Sequence, residues 1–231
     1  MRLIIYSFLK KARRKLFKSV KHIFLEKQNQ YKMTLEKILI AGFGGQGVLF
    51  LGRVIAESAI QEQNATLMTS YGPESRGGTS NCHVTISDEE IYPPIPNDQE
   101  GVIAFNPKSM DKFEHELKKN GLLLYNSSLI KIKPKRTNIK AVAVPFTEIA
   151  KKLGDEQVLN MVALGAYYEL KKTINIDIVL NETLPKLLTG DKAAYIQINK
   201  EAIKAGIDYI KRNLFKQTET SAFYGCGQLL A

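Results

Sequence analysis

The chain has 231 residues, and 44% of them are hydrophobic, which is enough to bury the core of one domain. Its 33 Lys and Arg residues outnumber its 23 Asp and Glu residues, for a formal net charge of +10. Residues 1–32 hold ten of the basic residues and one of the acidic ones, so the rest of the chain carries only +1. The charge of the main domain therefore gives no support to nucleic-acid binding, and we expect no nucleic-acid partner.

Residues 1–32 have the pattern of a basic amphipathic helix, with apolar residues at helical spacing and Lys and Arg between them. The apolar part of this segment is too short to span a bilayer. The segment also lacks the small-residue cleavage site that marks a secretory signal. If the extension is part of the protein, it predicts binding to a membrane surface or to a partner protein.

An apolar run at residues 38–41 leads directly into a glycine-rich turn and the start of a helix. Three of the glycines stand at the G-x-G-x-x-G spacing that is typical of phosphate-binding loops. Amide groups at the start of the following helix would face a bound anion with the positive end of the helix dipole. The candidate contact residues for a cofactor or a partner subunit are Gly42, Gly44, Gly45, Gln46 and Gly47.

A nicotinamide dehydrogenase is one hypothesis for such a loop. It requires an acidic residue about 20 positions further on, at the end of the second strand, to hold a ribose. The second predicted strand, residues 65–69, instead continues into a turn in which the first carboxylate is Glu74. The missing acid argues against this hypothesis.

The turn after this strand is the second informative motif, with the sequence Ser-Tyr-Gly-Pro-Glu-Ser-Arg-Gly-Gly-Thr at residues 70–79. Its candidate contact residues are Tyr71, Glu74, Arg76, Gly77 and Gly78. An Arg side chain next to glycines suits an anionic group of a ligand or a carboxylate of a partner. A surface ion pair between Glu74 and Arg76 is the alternative interpretation.

The remaining elements alternate between short strands and helices. A hairpin is predicted from residues 82–87 and 90–91, and Asn120-Gly121 is expected to end a polar helix over residues 111–119. The other predicted elements are strands at residues 102–105, 122–125 and 141–144 and helices at residues 147–154, 158–171, 178–188 and 192–212. This order predicts an α/β fold with a single doubly wound, mostly parallel, Rossmann-like sheet and helices on both faces.

The chain has two cysteines, Cys82 and Cys226, which form no C-x-x-C pair and cannot ligate a four-iron cluster alone. Its sequence also shows neither a thiamine-diphosphate motif nor a His-rich metal site. Cys82 alternates with Val84 and Ile86 on one predicted strand face, so we expect a buried small side chain and not a reactive thiol. We expect no cofactor bound by this chain alone, and its catalysis must be shared.

Taken together, the two glycine-rich motifs resemble a known family. Gly-Phe-Gly-Gly-Gln-Gly-Val at residues 42–48, the turn at residues 70–79 and a strand ending Ile-Ser-Asp-Glu are similar to the gamma subunit of 2-oxoacid:ferredoxin oxidoreductases. The continuation Gly-Gly-Thr-Ser-Asn-Cys is most similar to the 2-oxoglutarate type. We expect three parts: the basic extension at residues 1–32, a gamma-type domain at residues 33–213 and a mobile tail at residues 214–231. Because resembling proteins usually begin near Met33, we expect the extension to be a misassigned start.

In the resembled complexes, separate alpha and beta subunits form a thiamine-diphosphate site, while beta and a ferredoxin-like delta subunit carry iron–sulfur clusters. The resemblance implies that this chain is an accessory subunit of a cytoplasmic enzyme. That enzyme would convert a 2-oxoacid and coenzyme A to acyl-CoA, carbon dioxide and reduced ferredoxin. Two other hypotheses stay open, namely a stand-alone nucleotide-binding module and the related indolepyruvate oxidoreductase subunit.

Overall fold

The computed structural model describes residues 35–71, 79–92 and 98–225, except for the side chains of Tyr71 and of residues 214–225. The chain divides into residues 1–34 and residues 35–231, and the fold below is that of the second unit. The predicted amphipathic extension therefore lies outside the described residues. In the described part of the chain, no helix is long and apolar enough to cross a membrane.

One six-stranded sheet forms the centre of the fold. Its strands are β1 (Leu35–Phe43), β2 (Asn64–Tyr71), β3 (Thr79–Ser87), β4 (Gln99–Ala104), β5 (Leu117–Asn126) and β6 (Lys140–Val144). Their order across the sheet is β2-β3-β1-β4-β5-β6. Strand β3 runs antiparallel to its neighbours β1 and β2, while β1, β4, β5 and β6 are parallel to one another. The prediction of a single, mostly parallel sheet is confirmed.

Helices cover both faces of this sheet, as predicted, but unequally. The helices are α1 (Val48–Ala59), α2 (Pro107–Phe113), α3 (Phe146–Lys152), α4 (Leu159–Lys171), α5 (Ile176–Ile178, π-helical Val179–Thr183 and Leu184–Leu187) and α6 (Ile196–Gly225). Ile38 and Ile40 of β1 belong to the larger core cluster, with α1, α4 and α6, while Leu39 and Ala41 belong to a smaller cluster with α2. Burial on both sides explains why β1 is a continuous apolar run and not an alternating one.

A buried carboxylate joins β1 to α4 near the amino end of β1. The Tyr167 hydroxyl donates a hydrogen bond to the Glu36 carboxylate, and the Lys171 ammonium group lies 2.9 Å from Glu36 Oε1. Burial raises the pKa of Tyr167 well above its usual value, and the neighbouring Glu36 carboxylate raises it further. A hydroxyl donor and an ammonium group together offset the cost of taking this carboxylate out of water.

The hairpin predicted around Asp88-Glu89 is wrong. Residues 90–91 are not in a strand, and β3 instead pairs with β2 on one side and with β1 on the other. The physical reason is that β3 presents Cys82, Val84 and Ile86 to the larger core cluster, which includes α1. Such a buried face stabilises an interior strand with two neighbours, and a short exposed hairpin could not provide it.

The polar helix predicted over residues 111–119 is also wrong in its second half. Helix α2 ends at Phe113, and Leu117 begins β5 with its side chain buried in the smaller cluster. Asn120-Gly121 lies inside this strand at an irregularity, where Asn120 has φ 63°. A Cβ atom at Gly121 would lie 2.9 Å from a backbone carbonyl oxygen. The Asn-Gly pair therefore permits a distortion within a strand and does not end a helix.

The last helix is longer than predicted. It begins at Ile196, after a 3-10 turn at Gly190–Tyr195, and its backbone continues to Gly225, beyond the predicted end at residue 212. Cys226 and the residues after it lie outside the described part of the chain. The other predicted strands and helices have counterparts in the structure with shifted ends.

Candidate functional site

The first glycine motif forms the connection between β1 and α1, at the carboxyl end of β1. The backbone amide of Gln46 donates to the Phe43 carbonyl oxygen at 3.1 Å. The Gln46 side chain folds back, and its Oε1 accepts a hydrogen bond from the Phe43 amide at 2.7 Å. Gly47 has φ 70° immediately before the first helical residue, Val48. The turn is thus held in shape by its own backbone and by one of the predicted contact side chains.

The glycines of this loop divide into two structural types. A Cβ atom at Gly42 would lie 2.8 Å from Gln46 Oε1, and a Cβ atom at Gly47 would lie 2.3 Å from Asn160 Nδ2. These two glycines are required by the packing of the chain itself. Gly44 and Gly45 are exposed, and a Cβ atom at either would meet no atom of the described residues within 4 Å. The space at these two positions is open to a ligand or a partner subunit.

The start of helix α1 has no side-chain cap among the described residues. No described side chain accepts a hydrogen bond from its first amides, and its first turn contains no acidic residue. The Gly47 carbonyl oxygen already accepts the first helical hydrogen bond, from the Leu51 amide at 2.9 Å. The amides of the first turn therefore remain available to an anionic group, which the positive end of the helix dipole would also attract.

Three buried asparagines, which lie outside both glycine-rich motifs and were not predicted from the sequence, support the loop and the neighbouring strand ends; they are Asn106, Asn126 and Asn160. Asn106 Nδ2 donates to Gln46 Oε1 at 3.2 Å, and Asn106 Oδ1 accepts from the Ser109 amide at 2.9 Å, which caps α2. Asn160 Nδ2 donates to the Gly47 carbonyl oxygen at 3.2 Å. The shape of the glycine loop is therefore fixed by side chains more than 50 residues away in sequence.

Asn126 makes the corresponding contacts at the end of β5. Its Nδ2 donates to Thr147 Oγ1 at 2.9 Å, and its Oδ1 accepts from the Ser128 amide at 3.2 Å. Asn106 and Asn126 stand at or just beyond the carboxyl ends of parallel strands, where the loops of an open α/β sheet meet. That position, directly after a buried apolar run, is the sequence signal that could have identified them.

The second glycine motif leaves the sheet at the same edge. Phe43 of β1 pairs with Thr79 of β3, and Ser80 pairs with Tyr71 of β2. The turn between Tyr71 and Thr79 therefore starts and ends level with the glycine loop. Four predicted contact residues of this turn lie outside the described residues; they are Glu74, Arg76, Gly77 and Gly78. Tyr71 ends β2, and its side chain is not among those described.

A pocket of about 440 Å³ opens beside helix α1. Its lining includes the apolar side chain of Phe50 and the charged side chains of Arg53, Asp155 and Lys192. Asn160, which holds the Gly47 carbonyl oxygen, also lines it. Two cations against one carboxylate leave this lining with a net positive charge beside an apolar wall, which suits an anionic ligand with an organic body.

Cys82 is buried, as predicted, in surroundings that disfavour a reactive thiol. Its thiol lies 3.6 Å from the Val48 carbonyl oxygen, to which it donates. Burial raises the pKa of the Cys82 thiol to about 12, so the thiolate is not populated at neutral pH. His83 lies opposite, with Nδ1 3.4 Å from Gln99 Nε2, and burial lowers its pKa. Within the described ranges, no group of three or more His, Cys, Asp or Glu side chains could hold a metal ion.

The sequence profile of the pyruvate ferredoxin/flavodoxin oxidoreductase family matches residues 37–209, which include the glycine loop and all six strands but the first residues of β1. The chain belongs to this family. The family predicted from the two glycine-rich motifs is thereby confirmed.

Characterised relatives are subunits of several oxidoreductases. Ketoisovalerate oxidoreductase subunit VorA of Methanothermobacter marburgensis is 35% identical over 77% of this chain and 37% of its own length. 2-Oxoglutarate synthase subunit KorC of Methanocaldococcus jannaschii is 32% identical over 64% of this chain and 81% of its own. Indolepyruvate oxidoreductase subunit IorB of Archaeoglobus fulgidus is more distant, at 27% identity over 73% and 92%. The chain thus spans well under half of VorA but most of KorC.

Solved structures agree with this assignment. The gamma subunit of a keto/oxoacid ferredoxin oxidoreductase from Geobacter sulfurreducens PCA has a TM-score of 0.65 and 29% identity, over 77% of this chain and 99% of that one. A 2-oxoglutarate:ferredoxin oxidoreductase from Magnetococcus marinus, with 2-oxoglutarate, coenzyme A and succinyl-CoA bound, has a TM-score of 0.65 and 25% identity, over 77% of this chain and 31% of that one. The nearly complete coverage of the first structure identifies this chain as a gamma-type subunit.

Proposed function

We propose that this chain is the gamma subunit of a complex that converts a 2-oxoacid and coenzyme A to acyl-CoA, carbon dioxide and reduced ferredoxin. The observation that carries the proposal is that the glycine loop and the strand ends flanking the second motif lie at one edge of the sheet, in a chain that resembles a gamma subunit along nearly all of that subunit's length. Thiamine diphosphate and iron–sulfur clusters would reside on alpha, beta and ferredoxin-like delta partners. This chain would contribute contacts and no redox group.

Purification of the complex through this chain tests the proposal. The expected result is co-purification with subunits that contain thiamine diphosphate and iron–sulfur clusters, and reduction of methyl viologen that depends on both a 2-oxoacid and coenzyme A. A monomer that binds ATP or NAD and has no such partners would instead support the stand-alone nucleotide-binding module.

The proposed 2-oxoacid is 2-oxoglutarate. The continuation Gly-Gly-Thr-Ser-Asn-Cys after Arg76 supports this substrate, and so does the similarity to KorC. The slightly higher identity with VorA makes ketoisovalerate the second candidate. Comparing kcat/KM of the purified complex for 2-oxoglutarate, ketoisovalerate and indolepyruvate decides among the three related enzymes.

The part of this chain in the reaction is to hold an anionic group at the edge shared by the two motifs. The uncapped first turn of α1, the open space at Gly44 and Gly45, and the cations of the neighbouring pocket all support this role. The anion is either a phosphate of coenzyme A or a carboxylate of a partner subunit. Both would be stabilised by free amides and by an Arg side chain.

Substitution of Arg76 separates these two anions. We expect Arg76→Ala to raise the KM for coenzyme A about 10- to 150-fold, because a charge-assisted contact of roughly 1.5 to 3 kcal/mol is lost. The KM for the 2-oxoacid should change little. Steady-state kinetics of the intact variant complex measure both constants, and Arg212→Ala on α6 serves as a control for loss of an exposed Arg.

The assembly state of the Arg76→Ala complex must be measured before its kinetics. Dissociated subunits would show that Arg76 binds a partner carboxylate. An intact complex with an unchanged KM for coenzyme A would show that Arg76 contacts neither anion and forms only the local ion pair with Glu74. In that case Glu74→Gln should have the same effect on stability as Arg76→Ala.

A further inference from the structure

The connection from β5 to β6 carries a concentrated positive charge. Residues 127–140, which we name the basic ribbon, contain no acidic residue and five basic ones, namely Lys131, Lys133, Lys135, Arg136 and Lys140. The whole chain after residue 32 has a net charge of only +1. The ribbon therefore differs sharply from the rest of the domain.

The basic ribbon is fixed to the sheet along its length. Ile130 is buried in the smaller core cluster, and Ile139 packs against the same cluster. The Arg136 guanidinium donates to the carbonyl oxygens of Glu114 at 3.3 Å, of His115 at 3.4 Å and of Leu117. These contacts hold the ribbon in one conformation before any partner binds, so little conformational entropy remains to be lost on binding.

The exposed side chains of the basic ribbon are of two kinds, cationic and apolar. Lys133 and Lys140 are exposed, and their ammonium groups have no ion-pair or hydrogen-bond partner among the described residues. Leu129 is 45% exposed and Ile132 is 52% exposed. Asp111 binds Lys135, so the charge is only partly compensated within the subunit. A surface of this kind is complementary to an acidic protein surface with a small apolar centre.

We propose that the basic ribbon is the docking surface for a small acidic redox protein that carries electrons away from the complex. This inference rests on the proposed function, which requires such an acceptor. Permanent subunit interfaces are depleted in Lys, whereas electron-transfer encounters are small and steered by charge. Two unpaired lysines and two exposed aliphatic side chains within this one segment fit the second kind of contact. The acceptor docks on the sheet face that carries α2, away from α4 and α6.

The test compares two double variants of the intact complex. Lys133→Gln with Lys140→Gln removes the two unpartnered charges of the basic ribbon. Lys152→Gln with Lys204→Gln removes two exposed charges from α3 and α6 and serves as the matched control. Each complex is assayed with a purified acidic ferredoxin and, separately, with methyl viologen, a small cation that needs no docking surface.

At low salt we expect the ribbon variant to lose at least about threefold in kcat/KM for ferredoxin, because charge steering of encounters is worth about tenfold or more in total. Lys133→Glu with Lys140→Glu should lose about tenfold or more. The loss should shrink as salt is raised, since screening weakens the same charges in the unmodified complex. Activity with methyl viologen and all activities of the control variant should remain unchanged.

Three outcomes would overturn the inference. A ribbon variant with unchanged ferredoxin kinetics would show that the lysines do not face the acceptor. Loss of subunits from the variant complex would show that the basic ribbon is a permanent interface. An unmodified complex that fails to reduce methyl viologen would overturn the proposed function itself, and this result is separate from the other two.

Discussion

Replacement of Gly165 by alanine is expected to destabilise the subunit by about 3 kcal/mol. Helices α4 and α6 cross here, and a Cβ atom at Gly165 would lie 1.9 Å from the Ile203 carbonyl oxygen. A Cβ atom at Gly206 on the facing helix would lie 2.1 Å from the Val162 carbonyl oxygen. Because both obstacles are backbone atoms, the helices must separate to admit one methyl group. Urea unfolding of the purified chain measures the loss.

The direction of this effect is diagnostic, since glycine to alanine inside an exposed helix normally stabilises by about 1 kcal/mol. Gly52→Ala is the comparison. A Cβ atom at Gly52 would lie 2.5 Å from Cys82 Sγ and 3.1 Å from Leu67 Cδ1. These are side-chain atoms that can shift, so a smaller loss is expected. If Gly165→Ala unfolds at the same urea concentration as the unmodified chain, the close crossing of α4 and α6 is wrong.

The sequence predicted the elements whose evidence is local. The glycine loop was predicted because its turn, its glycine spacing and the apolar run before it are contiguous, and the structure places them between β1 and α1. The close packing at Gly165 and Gly206 was not predicted, because the sequence of one helix does not show which other helix packs against it. Asn160 was missed for the same reason, since its partner Gly47 is more than 100 residues away.

The wrong predictions arose where a local sequence pattern occurs in a different tertiary context. Asn120-Gly121 has the composition of a helix end, but burial of Leu117 draws the preceding residues into β5. The Asn-Gly pair then permits the irregular backbone within that strand. Similarly, Asp88-Glu89 reads as a hairpin turn, although the partners of β3 lie before it in the chain. Strand pairing depends on which apolar face is buried, and neighbouring residues do not contain that information.

Gly44→Val is expected to leave the free subunit stable and to weaken the complex. The backbone at Gly44 does not have the positive φ that favours glycine, and a Cβ atom there would meet nothing within 4 Å in the part of the chain that the structure describes. The unfolding free energy of the free chain should therefore change by less than about 0.5 kcal/mol. If a partner subunit approaches this backbone closely, the added isopropyl group should weaken assembly by about 2 kcal/mol, equivalent to about 30-fold in Kd. Titration of the purified subunit against the rest of the complex measures this change.

Two further glycine variants distinguish an effect on contact with a partner subunit from an effect on folding of the free subunit. Gly44→Ala adds one methyl group in the same open space, and we expect a smaller loss of assembly with the same unchanged stability. Gly47→Ala should instead destabilise the free subunit, because alanine is strained at φ 70° and its Cβ atom would lie 2.3 Å from Asn160 Nδ2. Unchanged assembly of Gly44→Val would show that no partner backbone approaches the exposed tip of the loop. The anion-binding role would then rest on the amides of α1 alone, and the KM of that variant for coenzyme A would measure it.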